Sequence, residues 1–217
     1  MLISDPYDDC VFINCPFDEE YKPLFEATIF CVQDAGFVSH CALEFSDSSQ
    51  NRLSKILDLI AACKYGIHDI SRVSLDIGTS LPRFNMPLEL GVFLGCKAFG
   101  NRLQRTKCCL VLDSEPYRYR GSISDIAGQD IEVHRNEVNE LIRRIRGWLT
   151  TASKRTTIPG GETIAKRFDQ FCSELPAICN ALHKRVEELT FLEYKDLVAA
   201  WLRQNSLQRL PSATRRR

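Results

Sequence analysis

A helix is predicted over residues 86–100, and it carries one carboxylate in an otherwise apolar stretch. From Leu88 to Leu94 the sequence reads LELGVFL, in which Glu89 is the only polar side chain. A carboxylate is costly to bury unless it is paired or used, because it loses its hydration. Either Glu89 is used in a functional site, or it lies in the first helical turn and only complements the helix dipole.

A second carboxylate, Asp69, belongs to the stretch YGIHDI at residues 65–70, which is predicted to be a strand. It lies 20 residues before Glu89, and one loop joins the two positions. Ligands of parallel α/β sheets bind at the carboxyl ends of the strands, so both carboxylates can face one pocket. Asp69 can equally cap the turn that follows it. The neighbouring His68 alternates to the opposite side of the sheet and is interpreted as a packing residue.

The loop between the two carboxylates has the composition of a binding loop. It reads SRVSLDIGTSLPRFN, fifteen residues without a clear helical or strand pattern, and loops of this length are often lids or ligand contacts. Arg72 and Arg83 can bind a phosphate group, or they can be solvated surface residues. Asp76 can bind a ribose hydroxyl. Asn85, at the end of the loop, is predicted to cap the following helix and to contact the substrate.

Another polar loop follows the first predicted strand. The stretch VFIN is followed by CPFDEEYKP at residues 15–23, where Pro23 fits the first turn of a helix that begins near Lys22. This loop lies at the carboxyl end of its strand, where a ligand is expected. Its backbone N–H groups can hold a phosphate. We therefore predict that Asn14, Pro16 and Phe17 bind the substrate.

Strands and helices alternate along the first 150 residues or so. Five apolar stretches predict strands, at residues 10–15, 37–44, 65–70, 107–113 and 130–134, and amphipathic helical patterns separate or follow them. This alternation predicts a parallel sheet with helices on both faces. Five such units favour a flavodoxin-like α/β fold with the strand order 2-1-3-4-5.

The chain is predicted to divide near residue 152. Residues 1–152 form the α/β domain, and SKRTTIPGGE at residues 153–162 has the composition of a linker. In the C-terminal helical extension, residues 153–217, one helical stripe is expected to end at Pro176. A second helix begins with a capping box of Thr190 and Glu193. These helices either cover the sheet of their own domain or drive self-association.

The composition excludes several classes of protein. The chain has 217 residues with 28 basic and 28 acidic side chains, so no nucleic-acid partner is expected. No apolar stretch reaches the roughly 20 residues that span a bilayer, and the N-terminus does not resemble a signal peptide. Ten cysteines lack any C-x-x-C spacing, which gives no support to a metal site and favours reduced thiols. A cytoplasmic protein without membrane contact is expected.

Three stretches together carry a family resemblance. VFINCPFD, GIHDIS and FNMPLELGVFLG resemble the nucleoside 2-deoxyribosyltransferase-like group, which is akin to the Toll/interleukin-receptor (TIR) domains of bacterial defence systems. The resemblance covers roughly residues 9–150. It implies that Glu89 works on an N-glycosidic bond and that Asp69 contacts the sugar. In this chain Asp76 lies 13 residues before Glu89, farther away than in the pattern of the transferases.

The resemblance implies an enzyme that cleaves the N-glycosidic bond of a nucleotide, by hydrolysis or transfer. NAD is expected as the preferred substrate, rather than as a cofactor, and a nucleoside or another nucleotide as the second. The resemblance also implies a homo-oligomer and a partner protein in a prokaryotic defence system. The alternative is a non-catalytic nucleotide-binding sensor or adaptor. A phospho-acceptor receiver domain is rejected, because Asp8 and Asp9 precede the first strand instead of ending it.

Overall fold

The fold is known from a computed structural model, which describes residues 4–45, 47–72 and 84–207. Within these ranges, five parallel strands form one sheet in the order β2-β1-β3-β4-β5, which confirms the predicted order. Short strands separated by crossover helices favour this parallel arrangement. The strands are β1 (Cys10–Asn14), β2 (Val38–His40), β3 (Tyr65–Asp69), β4 (Cys108–Asp113) and β5 (Ile131–Val133).

Helices cover both faces of the sheet. They are α1 (Lys22–Asp34), α2 (Arg52–Ala62), α3 (Asn85–Phe99), α4 (Val138–Ser153), α5 (Gly161–Ala181) and α6 (Phe191–Leu207). Alternate side chains of β1 point to opposite faces, as a strand requires. Val11 and Ile13 join the core beneath α1 and α4, whereas Phe12 packs beneath α2 and α3. All five residues of β1 are buried, which explains the continuous apolar run from Cys10 to Ile13.

The C-terminal helices share the core of the α/β layer. Phe30 of α1 contacts Phe171 of α5 and Trp201 of α6, with ring centroids 5.6 and 5.9 Å apart. The predicted capping box is confirmed, because the Glu193 carboxylate accepts hydrogen bonds from the N–H and hydroxyl of Thr190. Thus α5 and α6 cover α1 of their own chain. The division of the chain near residue 152 stays a prediction.

Pro176 does not end its helix, so that prediction is wrong. Helix α5 continues through Pro176 to Ala181. Proline removes one backbone hydrogen bond from a helix interior. Leu175 and Cys179, on either side of it, are buried in the core, and their packing holds the helical path.

Two other element boundaries differ from the sequence prediction. Strand β2 ends at His40, because β1 pairs only with Val38–His40, and the following residues 42–44 form a 3-10 turn. The turn is closed by the Glu44 carboxylate, 3.0 Å from His40 Nδ1. Helix α3 begins at Asn85, so Asn85 lies inside the helix instead of capping it. Its first turn is closed by the Leu88 N–H, which donates to the Phe84 carbonyl over 2.9 Å.

All ten cysteines are free thiols, as their apolar surroundings predict. In the described part of the chain, every helix is too short or too polar to cross a membrane. No group of three or more His, Cys, Asp or Glu side chains in that part is arranged to hold a metal ion.

Candidate functional site

A cleft opens at the carboxyl ends of the strands, beside β1. Its volume is about 260 Å³. The β1–α1 segment, the start of α2 and the first two turns of α3 form its walls. Nine described residues line it: Asn14, Cys15, Pro16, Phe17, Asp18, Arg52, Asn85, Met86 and Glu89. The structure thus brings five predicted site residues together, namely Asn14, Pro16, Phe17, Asn85 and Glu89.

Glu89 is the most unusual residue of the cleft. It is 9% exposed, and its carboxylate has no hydrogen bond or ion pair with any residue that the structure describes. Burial raises the pKa of Glu89 to about 7, although the positive charge of Arg52 opposes the rise. Glu89 is the fifth residue of α3 and lies beyond its first turn, so the predicted position in that turn is wrong and its carboxylate is less well placed to complement the helix dipole. The carboxylate is therefore buried without an evident structural partner.

Asn14 joins the end of β1 to the start of α3. Its Nδ2 donates to the Met86 carbonyl over 2.8 Å and lies 3.1 Å from His68 Nδ1. Because an amide nitrogen can only donate, His68 Nδ1 accepts and the imidazole is neutral. Burial, with the charge of Lys107, lowers the pKa of His68 to about 3. His68 packs against Phe93 with centroids 4.9 Å apart, which confirms its predicted packing role.

Asp69 is fully buried, and both of its carboxylate oxygens are engaged. Oδ1 accepts hydrogen bonds from the N–H and hydroxyl of Ser71. Oδ2 accepts from the Tyr21 hydroxyl over 2.6 Å and lies 3.0 Å from His134 Nε2. Burial opposes ionisation of Asp69, but His134, Ser71 and Tyr21 together hold its pKa below the ordinary value. Asp69 thus ties the ends of β3 and β5 to the start of α1.

The two carboxylates do not share the lining of one cleft. The described lining contains Glu89 but not Asp69. Burial, with the negative charges of Asp69 and Glu89, raises the pKa of the Cys15 thiol well above its ordinary value. This shift favours the protonated, less nucleophilic thiol. A contact between Asp69 and the sugar stays a prediction.

Arg72 binds the first loop of the chain. Its guanidinium lies 2.6 Å from the Glu20 carboxylate and 3.5 Å from that of Asp18. Since Asp18 lines the cleft, Arg72 supports the wall of the cleft. The other predicted loop residues, Asp76 and Arg83, lie outside the residues that the structure describes.

Gly91 and Gly95 lie four residues apart on α3, a spacing that allows close approach of another segment. A Cβ atom added at either position meets no atom of the described residues within 4 Å. The two glycines thus face open space in this part of the molecule. Packing of the described residues does not explain them.

Arg52 was not predicted as a site residue, although it lines the cleft and acts on the charge of Glu89. It is the first residue of α2, directly after the Asn51 cap. In an α/β sheet that position lies at the ligand-binding edge, so the cap signal was available in the sequence. Tyr21 and His134 were missed as partners of Asp69, because they are 48 and 65 residues away from it along the chain.

The arrangement offers three chemical functions. One nearly buried carboxylate, Glu89, ionises near neutral pH. One guanidinium, Arg52, provides a positive charge, and the β1–α1 loop provides an adjacent polar wall. Comparison with protein-family models, with curated proteins and with solved structures finds no match to this chain.

Proposed function

We propose that this protein cleaves the N-glycosidic bond of a nucleotide, with NAD as the preferred substrate and a nucleoside or another nucleotide as the second. The observation that carries the proposal is Glu89, a nearly buried carboxylate without a partner among the described residues, in a cleft at the edge where ligands bind. A buried ionisable group with a strongly displaced pKa in a cleft is typical of a catalytic site. The resemblance of the sequence to N-glycosidic enzymes supports the same residue.

The chemistry requires Glu89 in its ionised form. As the bond between ribose and base breaks, its electron pair leaves with the base and positive charge develops on the sugar ring. The Glu89 carboxylate stabilises this oxocarbenium ion or forms a covalent bond to the anomeric carbon. Water then bonds to the anomeric carbon, displaces Glu89 if the covalent bond has formed, and releases a proton to solvent, or a nucleoside acceptor takes the place of water in transfer. With a pKa of about 7, about half of the Glu89 side chains are ionised at neutral pH.

The second candidate is a non-catalytic sensor or adaptor that binds a nucleotide in the same cleft. The hydrogen bonding of Asp69 favours this sensor or adaptor. Both oxygens of this carboxylate are engaged inside the protein, which leaves fewer acceptor sites for the ribose hydroxyls that the transferase resemblance assigns to it. A binding module needs the cleft but not a second carboxylate. Under either function, a cytoplasmic location, a homo-oligomer and a partner protein in a defence system stay predictions from composition and resemblance.

Base release from a panel of substrates distinguishes the two candidates. Purified protein is incubated with NAD and with common nucleosides and nucleotides, and free base is measured by liquid chromatography. The enzyme predicts release that Glu89→Gln abolishes while the folded state is kept. A matched control is Glu115→Gln, which removes an exposed carboxylate and leaves the rate unchanged. If no substrate loses its base but nucleotides bind equally to the wild type and to Glu89→Gln, the sensor is correct.

A further inference from the structure

A second cleft adjoins the candidate site. Its volume is about 180 Å³, and it lies along the segment between β2 and the first turns of α2. The described residues that line it are Ala42, Phe45, Asp47, Ser48, Gln50, Arg52, Lys55 and Ile56. Arg52 lines both clefts. The Arg52 side chain therefore lies at the junction of the two clefts.

The guanidinium of Arg52 carries the positive charge at the junction of the two clefts. Within the described ranges it makes no hydrogen bond and no ion pair. Lys55, in the second cleft, donates to the Asp47 backbone carbonyl and adds a second positive charge. An arginine guanidinium binds a phosphate through two parallel N–H donors. The junction of the clefts thus has the chemistry of a phosphate site.

The backbone of α2 is less available for this role. The Asn51 side chain already accepts hydrogen bonds from the Leu53 and Ser54 N–H groups, over 2.9 and 3.3 Å. An anion at this end of α2 therefore depends mainly on side chains. Substitution of Arg52 is the direct test of such binding.

Glu89 provides independent support for a ligand between the two charges. It is nine-tenths buried and lines the same cleft as Arg52. The two side chains influence each other electrostatically, yet they form no ion pair. Because Glu89 and Arg52 line one cleft without forming an ion pair, a ligand can lie between them. Such a ligand would place a sugar beside Glu89 and an anion beside Arg52.

We propose that Arg52 selects substrates that carry a phosphate, which it holds where the two clefts meet. The sugar then lies beside Glu89, and the remaining half of a dinucleotide extends into the second cleft. The substrate class is therefore a phosphorylated nucleotide or a dinucleotide, not a free nucleoside. This inference rests on the proposed function for its kinetic test but not for its binding test.

The kinetic test compares three compounds with the same glycosidic bond: NAD, nicotinamide mononucleotide and nicotinamide riboside, which has no phosphate. Loss of a charge-assisted contact weakens recognition by about 10- to 100-fold. Arg52→Gln is expected to lower kcat/KM by that factor for the two phosphorylated compounds and by less than about threefold for the riboside. The matched control is Arg102→Gln, which removes an exposed charge after α3 and changes none of the three rates.

The binding test needs no turnover. Calorimetry measures the affinity of Glu89→Gln, and of Glu89→Gln combined with Arg52→Gln, for the mononucleotide and the riboside. A phosphate preference that disappears with Arg52 supports the inference, even if the wild type releases no base and the proposed function fails. Three results overturn the inference: equal binding of both compounds, equal losses for both compounds in Arg52→Gln, or no binding of any phosphorylated compound at millimolar concentration. Equal losses of kcat/KM for all three compounds in the kinetic test would mean that Arg52 acts only on the ionisation of Glu89.

Discussion

Replacement of Glu89 by glutamine is expected to stabilise the fold, and the gain is expected to depend on pH. Burial raises the pKa of Glu89 from 4.5 to about 7, so the folded protein binds this proton more tightly than the unfolded chain does. Below about pH 4.5 both states are protonated and the carboxylate costs nothing. Between pH 4.5 and 7 only the unfolded chain ionises, so wild-type stability falls. Above pH 7 the loss is constant.

The size of the effect follows from the same pKa. A tenfold change in proton affinity corresponds to about 1.4 kcal/mol, so the rise of the pKa from 4.5 to about 7 gives the loss an upper limit of about 3.5 kcal/mol. Water in the open cleft screens the charge, which lowers the expected gain of Glu89→Gln to about 1–2 kcal/mol at pH 8. At pH 5 the gain is expected to be below about 0.7 kcal/mol.

Urea unfolding at pH 5 and pH 8 measures this difference, with Glu115→Gln as the control that changes little at either pH. A gain in stability combined with a loss of activity is typical of a residue kept for function. Destabilisation by Glu89→Gln at pH 8, or an equal change at both pH values, would refute the idea that Glu89 is an uncompensated buried charge.

Four further predictions test other parts of the structure. Base release is expected to rise with a midpoint near pH 7, the pKa of Glu89, and to be about 100-fold slower at pH 5 than at its plateau; a flat pH–rate profile would contradict this. Asp69→Asn is expected to lower the free energy of unfolding by about 2–4 kcal/mol at pH 7, because it leaves the buried His134 and Tyr21 poorly paired. The pKa of Asp69 is lowered by folding from the ordinary value of 3.8, so its contribution is lost as the pH falls below 3.8 and through the folded pKa. The difference from wild type is therefore expected to be full at pH 7 and to shrink in unfolding experiments below about pH 3.8; an equal loss in both conditions would argue against the charge. Trp201→Ala is expected to lower the free energy of unfolding by about 3–5 kcal/mol, since Trp201 is buried against α1 and α5. The control variant Trp201→Phe is expected to keep most of that stability. A negligible loss in thermal unfolding of Trp201→Ala would mean that α6 does not belong to the core. Gly95→Ala is expected to stabilise α3 by about 0.5–1 kcal/mol, because a Cβ atom added there meets no atom of the described residues within 4 Å. Destabilisation in urea would show that another segment packs there.

Features that depend on local pattern were predictable from the sequence. The five strands and their parallel arrangement follow from the alternation of apolar stretches and helical stripes, and the observed order agrees with the flavodoxin-like expectation. The burial of Glu89 follows from its apolar neighbours in α3, and the capping box at Thr190 from residues three apart. Such signals lie within a few residues of the position that they predict.

Features that depend on tertiary contacts were not predictable in this way. The partners of Asp69 come from α1 and from the residue after β5, so their meeting depends on the folded sheet. Pro176 lies within α5 because the buried stripe around it outweighs one lost hydrogen bond. Helix α3 begins at Asn85, one residue earlier than the sequence predicted. Local sequence encodes the exact ends of helices only weakly.

The most direct test of the account is the release of nicotinamide from NAD at pH 8, measured side by side for the wild type, Glu89→Gln and Glu115→Gln. The account predicts turnover by the wild type and by Glu115→Gln, and none above background by Glu89→Gln, although that variant remains folded and binds NAD. Turnover by Glu89→Gln at the wild-type rate would contradict the central claim that the Glu89 carboxylate acts on the glycosidic bond.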